Sequence, residues 1–408
     1  MKQVLMVAAL VSVVGPGPLA AQPPSIAGLW DATVTVGGIE IPFRMELSGA
    51  GSSAKGSFFN GDDKIASTTG SFQNGSLSLS FDEYGSTLEA ALKDGALDGQ
   101  YARGTRGAPY AFHAKRFTPA PPPEGTVPSI AGLWNMQTKS SKGEDAWHLI
   151  VRQSGAEVSA AILRVDGDTG TLTGAYRDGR FVLGHFSGAR PLRVELTPGA
   201  DGTLSVVQNR EAAITAYRDD QARAKGLPQP TDPSRFTSVK DPTEPFRFSF
   251  PNLDGKLVSN TDPQFRGKVV IVDISGSWCP NCHDETPFLV DLYKTYHSRG
   301  LEIVALSFEE AAQLKNPVRL RAFNKHYGIP YTVLLAGEPR EASDKLPQTV
   351  NMNSFPTTFF LGRDGRVRAA HAGFPGKASG SFHEEAKKEI THTVEQLLAE
   401  RAQTTSAR

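Results

Sequence analysis

Cysteine is nearly absent from these 408 residues: the chain has two, and only two residues separate them in Trp278-Cys279-Pro280-Asn281-Cys282. A disulfide-stapled scaffold is therefore excluded, because staples are spread along a chain and each closes a long loop. The one bridge this pair can form closes a loop of two residues and removes little entropy from the unfolded chain. Reversible oxidation is the better reason for it. Net charge is absent too: 43 basic and 43 acidic residues cancel and no basic block stands out, which argues against nucleic acid or an anionic membrane as partner. Beyond the first residues no run approaches the roughly 18 continuous apolar residues of a membrane helix. No metal and no cofactor is expected, a metal site or an idle pair being the lesser reading of the two cysteines.

The first residues read as an export signal. Lys2 precedes an apolar run from Val4 to Val14, then Gly15-Pro16-Gly17-Pro18 and the small residues Ala20 and Ala21. Residues 1–21 are expected to be removed, leaving a protein in the periplasm or another extracytoplasmic space with no membrane insertion after cleavage. No cysteine stands at the cleavage point after Ala21 to carry a lipid anchor.

Forty glycines and 28 prolines point to many turns and short strands, and an internal repeat places them. Pro24-Ser25-Ile26-Ala27-Gly28-Leu29-Trp30 returns as Pro128-Ser129-Ile130-Ala131-Gly132-Leu133-Trp134. The same spacing carries Gly70, Phe72, Asn74-Gly75, Leu77 and Leu79 onto Gly174, Tyr176, Asp178-Gly179, Phe181 and Leu183. Strict alternation in Ser76–Phe81, with Asn74-Gly75, Asp94-Gly95, Asp178-Gly179 and Asp201-Gly202 as reversal points, predicts antiparallel meanders closing into a small barrel or a sandwich. Two all-β copies are expected over residues 22–117 and 128–218, joined by a proline-rich linker at 118–127. Each opening Trp is expected to plug a β core.

A polar, proline-dotted stretch at 219–243 reads as a second linker, and beyond it the pattern changes. Val269–Ile274 and Leu301–Ser307 are dense apolar runs of the kind buried on both faces, with helical spacing of Phe288, Leu289, Leu292 and Tyr296 between them. Strand, helix, strand at this spacing is a βαβ unit with a parallel sheet. Thr357–Leu361, a turn at Arg363-Asp364-Gly365 and Val367 onward form a hairpin, and a last helix spans about 383–401. A multidomain chain follows: two antiparallel β modules, an α/β domain at 244–402, and a disordered tail at 403–408.

Cys279 falls at the junction of strand and helix, where unpaired N–H groups and the helix dipole favour a thiolate. Asp273 lies on the apolar strand, where a carboxylate needs work or a partner. Glu285 shares a helix face with Cys282. Glu309-Glu310 reads as the end of a capping box from Ser307, and His326 and His371 as packing or surface histidines.

Leu253-Asp254-Gly255-Lys256, Phe265-Arg266-Gly267-Lys268-Val269-Val270, Trp278-Cys279-Pro280-Asn281-Cys282, Glu285-x-Pro287 and Phe355-Pro356-Thr357-Thr358-Phe359 together resemble the TlpA/ResA type of thioredoxin-fold thiol-disulfide oxidoreductase. The resemblance covers about the last two-fifths of the chain. It implies Cys279 as the attacking thiol, Cys282 as the resolving one, and Asp273 and Glu285 as proton-handling carboxylates beneath them. Asparagine is the commoner residue at the place of Asp273 in this type. It further implies a cis-proline at Pro356 and a substrate surface made by Trp278, Pro280, Asn281, Phe355, Pro356 and Thr357. The implied partners are protein thiols and disulfides, with apocytochrome or copper-protein thiols as targets and a membrane thiol reductase as upstream electron donor. Relatives of this type are mostly reductants, so disulfide reduction is the expected direction.

Three rival readings have residues of their own. Cys279-Pro280-Asn281-Cys282-His283 satisfies the covalent haem motif, although haem would consume both thiols. A peroxiredoxin shares the fold but needs a threonine where Gly276 stands. A binding protein would use the β modules on a ligand or envelope partner, with the thioredoxin-like part only docking.

Overall fold

The structure is a computed structural model that describes residues 25–119 and 125–400. The expected signal, the centre of the proline-rich linker and the tail lie outside the described residues. Two β units come first, and the repeated sequence sets the same local geometry at the start of each. Trp30 Nε1 donates to the Ile26 carbonyl and Trp134 Nε1 to that of Ile130, both at 2.9 Å, and both indoles are buried. Arg116 covers Trp30 at 4.4 Å and Arg218 covers Trp134 at 3.9 Å. Gly28 and Gly132 are in the positive-φ region at 125° and 130°, and a Cβ at either would press on those arginines. The tight turns follow their sequence signals, since Asn74-Gly75, Asp94-Gly95 and Asp178-Gly179 all have positive φ at both residues. Asp201-Gly202 does not: only its glycine has positive φ.

Closure separates the two units. In the second, eight strands close completely, because Gly132–Gln137 pairs with both Ala146–Ser154 and Ile214–Arg218 and the meander between them is unbroken. Trp134, Met136, Leu149, Phe181 and Leu183 fill its interior. In the first, nine strands curl from Asp63–Ala66 around to Thr69–Gln73 without those two edges pairing. A single bridge, Gly51 to Phe72, ties the open side. Phe186 of the second unit plugs this incomplete barrel, 4.9 Å from Phe43, 5.4 Å from Phe58 and 5.0 Å from Tyr101, while the Tyr101 hydroxyl donates to the Gly188 carbonyl at 2.9 Å. The two β units therefore share a core.

Residues read as the second linker are structured. They carry short helices at Asp219–Ala224 and Pro233–Phe236, and Ser238–Val239 pairs with Thr349–Val350. The thioredoxin fold follows. Its strands are β1 (Val269–Ser275), β2 (Leu301–Phe308), β3 (Thr332–Gly337), β4 (Thr357–Leu361) and β5 (Val367–Ala372), in the order β3-β2-β1-β4-β5. β1, β2 and β3 are parallel, while β4 and β5 run antiparallel. Alternation explains why the central runs are wholly apolar. Val269 and Ile271 face helices α1 (Pro280–Tyr296), α2 (Val318–Tyr327) and α3 (Ser381–Ala399), whereas Val270, Val272 and Ile274 face Phe246, Phe248, Phe265 and Leu346. The cysteine motif follows the C-terminal end of β1, where this topology leaves a strand end open for a ligand.

Candidate thiol site

Cys279 is the N-cap of α1 and Pro280 its first residue, a position that wastes no hydrogen bond. The Cys282 N–H donates to Cys279 Sγ at 3.3 Å, and Cys279 Sγ donates to the Phe355 carbonyl at 3.4 Å. Both cysteines are free thiols. The Phe355–Pro356 peptide is cis.

Two buried carboxyls lie under the pair. Asp273 on β1 is raised to about 7 by burial, and Oδ1 has no hydrogen-bond partner. Glu285 is pushed well up by burial and then by Asp273, while Thr358 Oγ1 donates to it at 2.9 Å. Burial, then Cys279 and Asp273, holds the Cys282 thiol well above its usual range. The structure thus brings Cys279, Cys282, Asp273 and Glu285 into one cluster, and Glu285 is not a solvated helix charge.

The expected substrate surface is only partly formed. Trp278 is half-buried, donates Nε1 to the Phe308 carbonyl at 2.8 Å and packs against Phe355 at 5.3 Å. Pro280 and Phe355 are half-buried and Pro356 is buried. Thr357 turns its hydroxyl inward to the Ser354 carbonyl at 2.8 Å, so it offers backbone only. Asn281 is covered: its Nδ2 donates to the Asp166 carbonyl and its Oδ1 accepts from Arg190 at 2.8 Å, both in the second β unit. The attacking and the resolving cysteine are equally buried, each 1% exposed. Between them, Asn281 is held by Asp166 and Arg190 of the second β unit, distant contacts that no local motif encodes.

Sequence reasoning missed the support of the loop before Cys279. Ser307 and Glu310 form no capping box, and Glu309 beside them carries the structure. It is fully buried and accepts from Ser277 N at 2.7 Å, Ser277 Oγ at 2.8 Å, Ser307 Oγ at 2.8 Å and Arg319 Nη2 at 2.7 Å. Helix Ala311–Lys315 instead starts after Glu310, with no side-chain cap. The only signal was an acidic pair at a strand end, and its partner Arg319 lies on another helix. His283 is occupied on both nitrogens, by the Ser277 carbonyl at 3.0 Å and Tyr327 Oη at 2.9 Å, and Tyr84 of the first β unit stacks on its ring at 4.2 Å. That environment does not fit an axial haem ligand. At Gly276 a Cβ would lie 2.3 Å from Trp278 Nε1 and 2.6 Å from the Phe308 carbonyl, so no threonine fits there.

Among the described residues no helix is long and apolar enough to cross a membrane, and no group of three or more His, Cys, Asp or Glu side chains is placed to hold a metal.

Residues 242–370 match the AhpC/TSA family. Thiol-disulfide oxidoreductase ResA of Bacillus anthracis is 29% identical over 116 residues, 28% of this chain and 60% of the relative. ResA of Geobacillus thermodenitrificans is 26% identical over 137 residues, 34% of this chain and 72% of the relative. The chain spans about 60% of the length of the first curated relatives it matches. Among solved structures, a thiol:disulfide interchange protein of the thioredoxin family from Chlorobium tepidum is 26% identical with a TM-score of 0.30, covering 40% of this chain and 100% of that one. A secreted thiol-disulfide isomerase from Corynebacterium glutamicum is 16% identical with a TM-score of 0.31, covering 41% and 93%. The C-terminal part of the chain is a thioredoxin-fold domain similar to the ResA thiol-disulfide oxidoreductases.

Proposed function

We propose that the protein is an extracytoplasmic thiol-disulfide oxidoreductase that reduces protein disulfides through Cys279 and Cys282. Two copies of one β module precede its thioredoxin-fold domain in this reading. The observation that carries it is the pairing of an N-cap thiol with a second thiol one turn later, over two buried carboxyls. The Cys279 thiolate attacks one sulfur of a substrate disulfide, forming a mixed disulfide and releasing the other substrate sulfur as a thiol. Cys282 then loses its proton to the Asp273–Glu285 pair and attacks Cys279 Sγ. The second substrate thiol leaves, and the enzyme holds a Cys279–Cys282 disulfide. Two electrons from an upstream thiol reductant restore it. The substrates are protein thiols and disulfides, for which apocytochromes and copper proteins are the candidates to test.

Cys282→Ser should accumulate mixed disulfides and Cys279→Ser should form none, as read on non-reducing gels of insulin and disulfide-bonded apocytochrome substrates. Equal trapping by both variants would overturn the assignment. The carboxyl at about 7 adds a pH signature. Protonated Asp273 cannot accept the Cys282 proton, so the resolving step should slow as pH falls through about 7, and Asp273→Asn should remove that inflection. Stopped-flow decay of a preformed mixed disulfide across pH 5.5–8.5, a window of about 1.5 units either side, measures it.

A further inference from the structure

The second β unit reaches the cysteine site with one turn. Gly167 bridges in parallel to Phe374, in the loop after β5, while the Asp166 carbonyl accepts from Asn281 and Arg190 bonds both Asn281 Oδ1 at 2.8 Å and the Asp168 carbonyl at 3.0 Å. Gly373 N, one residue before that bridge, donates to the Pro356 carbonyl at 2.7 Å, so the turn lies against the loop that faces the cysteines. Two glycines permit the approach. A Cβ on Gly167 would lie 2.4 Å from Asn281 Nδ2 and from the Phe374 carbonyl, and one on Gly373 would lie 2.3 Å from the Val165 carbonyl. The turn is also held from behind, with Val165 N bonded to Glu144 at 2.7 Å and Asp166 paired with Lys142 at 2.6 Å. With it in place Cys279 is 1% exposed.

We propose that the Val165–Asp168 turn is an internal pseudosubstrate. It docks a backbone carbonyl on Asn281 and a backbone edge on Phe374, backbone contacts open to any extended polypeptide segment that takes its place. Such a segment must displace the turn to reach Cys279. The partner this surface fits is therefore a locally unfolded or loop-borne disulfide that offers a free strand edge, because a rigid globular surface cannot enter between Asn281 and Phe374 while the β unit sits there. The proposal rests on the reading of Cys279 and Cys282 as the exchanging pair.

The test uses the full chain, reduced. Gly167→Ala wedges the turn off by the contacts above, and Arg190→Ala removes two charge-assisted bonds without adding bulk. Both should raise iodoacetamide labelling of Cys279 and the rate of insulin reduction by about tenfold or more, the change expected when charge-assisted bonds are lost. Should Gly167→Ala fail to fold, Arg190→Ala carries the comparison. In the Cys282→Ser variant, capture of insulin as a mixed disulfide should raise hydrogen exchange at residues 165–168. Protection that stays unchanged in the mixed disulfide would overturn the pseudosubstrate, as would wild-type labelling rates in a variant whose turn exchanges freely. If labelling rises but neither wild type nor variants reduce any disulfide, the occlusion stands and the thiol-exchange reading falls.

Discussion

The two β units begin with the same tryptophan geometry yet hold the cysteine helix in different ways. The first contributes shape. Tyr84 stacks flat on His283 with 5° between the planes, and Gly85 lets Arg319 pass at a distance where a Cβ would touch its Cδ at 3.3 Å. Among the described residues its one ion pair to the thioredoxin domain, Asp63 with Lys377, is exposed and contributes little. The second unit contributes polar and titratable groups: Arg190 bonds Asn281, and Asp168 accepts from Ser379 of the thioredoxin domain with Asp284 of α1 beside it. One grip is an aromatic stack on an imidazole that burial holds down at about 3, and the other rests on a pair of carboxyls. Closure differs in the same sense. The second barrel completes its own core, while the first borrows Phe186, so the two units are packed together and touch the thioredoxin domain at two points.

The largest effect should come from the shared core. Phe186→Ala leaves a cavity among Phe43, Phe58 and Tyr101 and should cost about 3–5 kcal/mol. Phe181→Ala, in the closed barrel, belongs to the same cost class. Only the first should loosen the joint. Hydrogen exchange should rise across the first unit in Phe186→Ala and stay confined to the second unit in Phe181→Ala. Matching exchange patterns in both variants would show that the open barrel stands without its plug.

Next in size is the pH response of the polar grip. Asp284 and Asp168 lie side by side at Gly376, where a Cβ would sit 2.9 Å from one and 3.3 Å from the other. Burial first, then Asp168, pushes Asp284 up to about 8, with Asp63 also raising it and Arg190 and Lys377 opposing. Burial raises Asp168 as well, against its bonds from Ser379 and Gly170. A carboxyl raised in the docked state prefers to be protonated there. Docking is therefore strongest below the ordinary carboxyl range and weakens as pH rises from about 4 to about 8. Asp284→Asn should flatten this dependence and stabilise the contact at pH 8 by about 1–2 kcal/mol, since a single unit of pKa is worth about 1.4 kcal/mol and solvent at the interface rim screens the rest. Urea midpoints from pH 4 to pH 8 measure it. A steeper slope in the variant would mean that the pair is not what titrates.

What could be read in the sequence was local. The βαβ unit, the hairpin and the tight turns are written in stretches of fewer than twenty residues, where period and turn chemistry act directly. Cys279 and Cys282 announce themselves by spacing, and Asp273 and Glu285 by a charge set in or beside an apolar run. The rest depends on contacts between distant segments. Asn281 meets Asp166 across 115 positions, Tyr84 meets His283 from another unit, and Glu309 meets Ser277 across the end of the sheet. Asn281 looked like part of an open surface because nothing nearby says that Arg190 covers it. Barrel closure was illegible for a related reason: alternation in each strand is the same whether the last strand pairs with the first or gives way to Phe186.

The smallest expected effect is at the aromatic grip, and it separates two rigid anchors from one. Tyr84→Leu keeps apolar bulk but loses the stacked ring, worth about 0.5–1.5 kcal/mol beyond buried area. Alone it should change Cys279 labelling by less than about threefold, because the Val165–Asp168 turn still sits on Asn281 and the loss is within that small energy. Arg190→Ala alone frees the turn while Tyr84 keeps the β body over the helix. Combined, neither anchor remains, and the effective concentration that each provides for the other vanishes. Labelling in Tyr84→Leu/Arg190→Ala should then exceed the product of the two single effects. A double-mutant cycle read by alkylation rate checks it: a strictly multiplicative result would mean that the two β units contact the thioredoxin domain independently, and that Phe186 does not join them into one body.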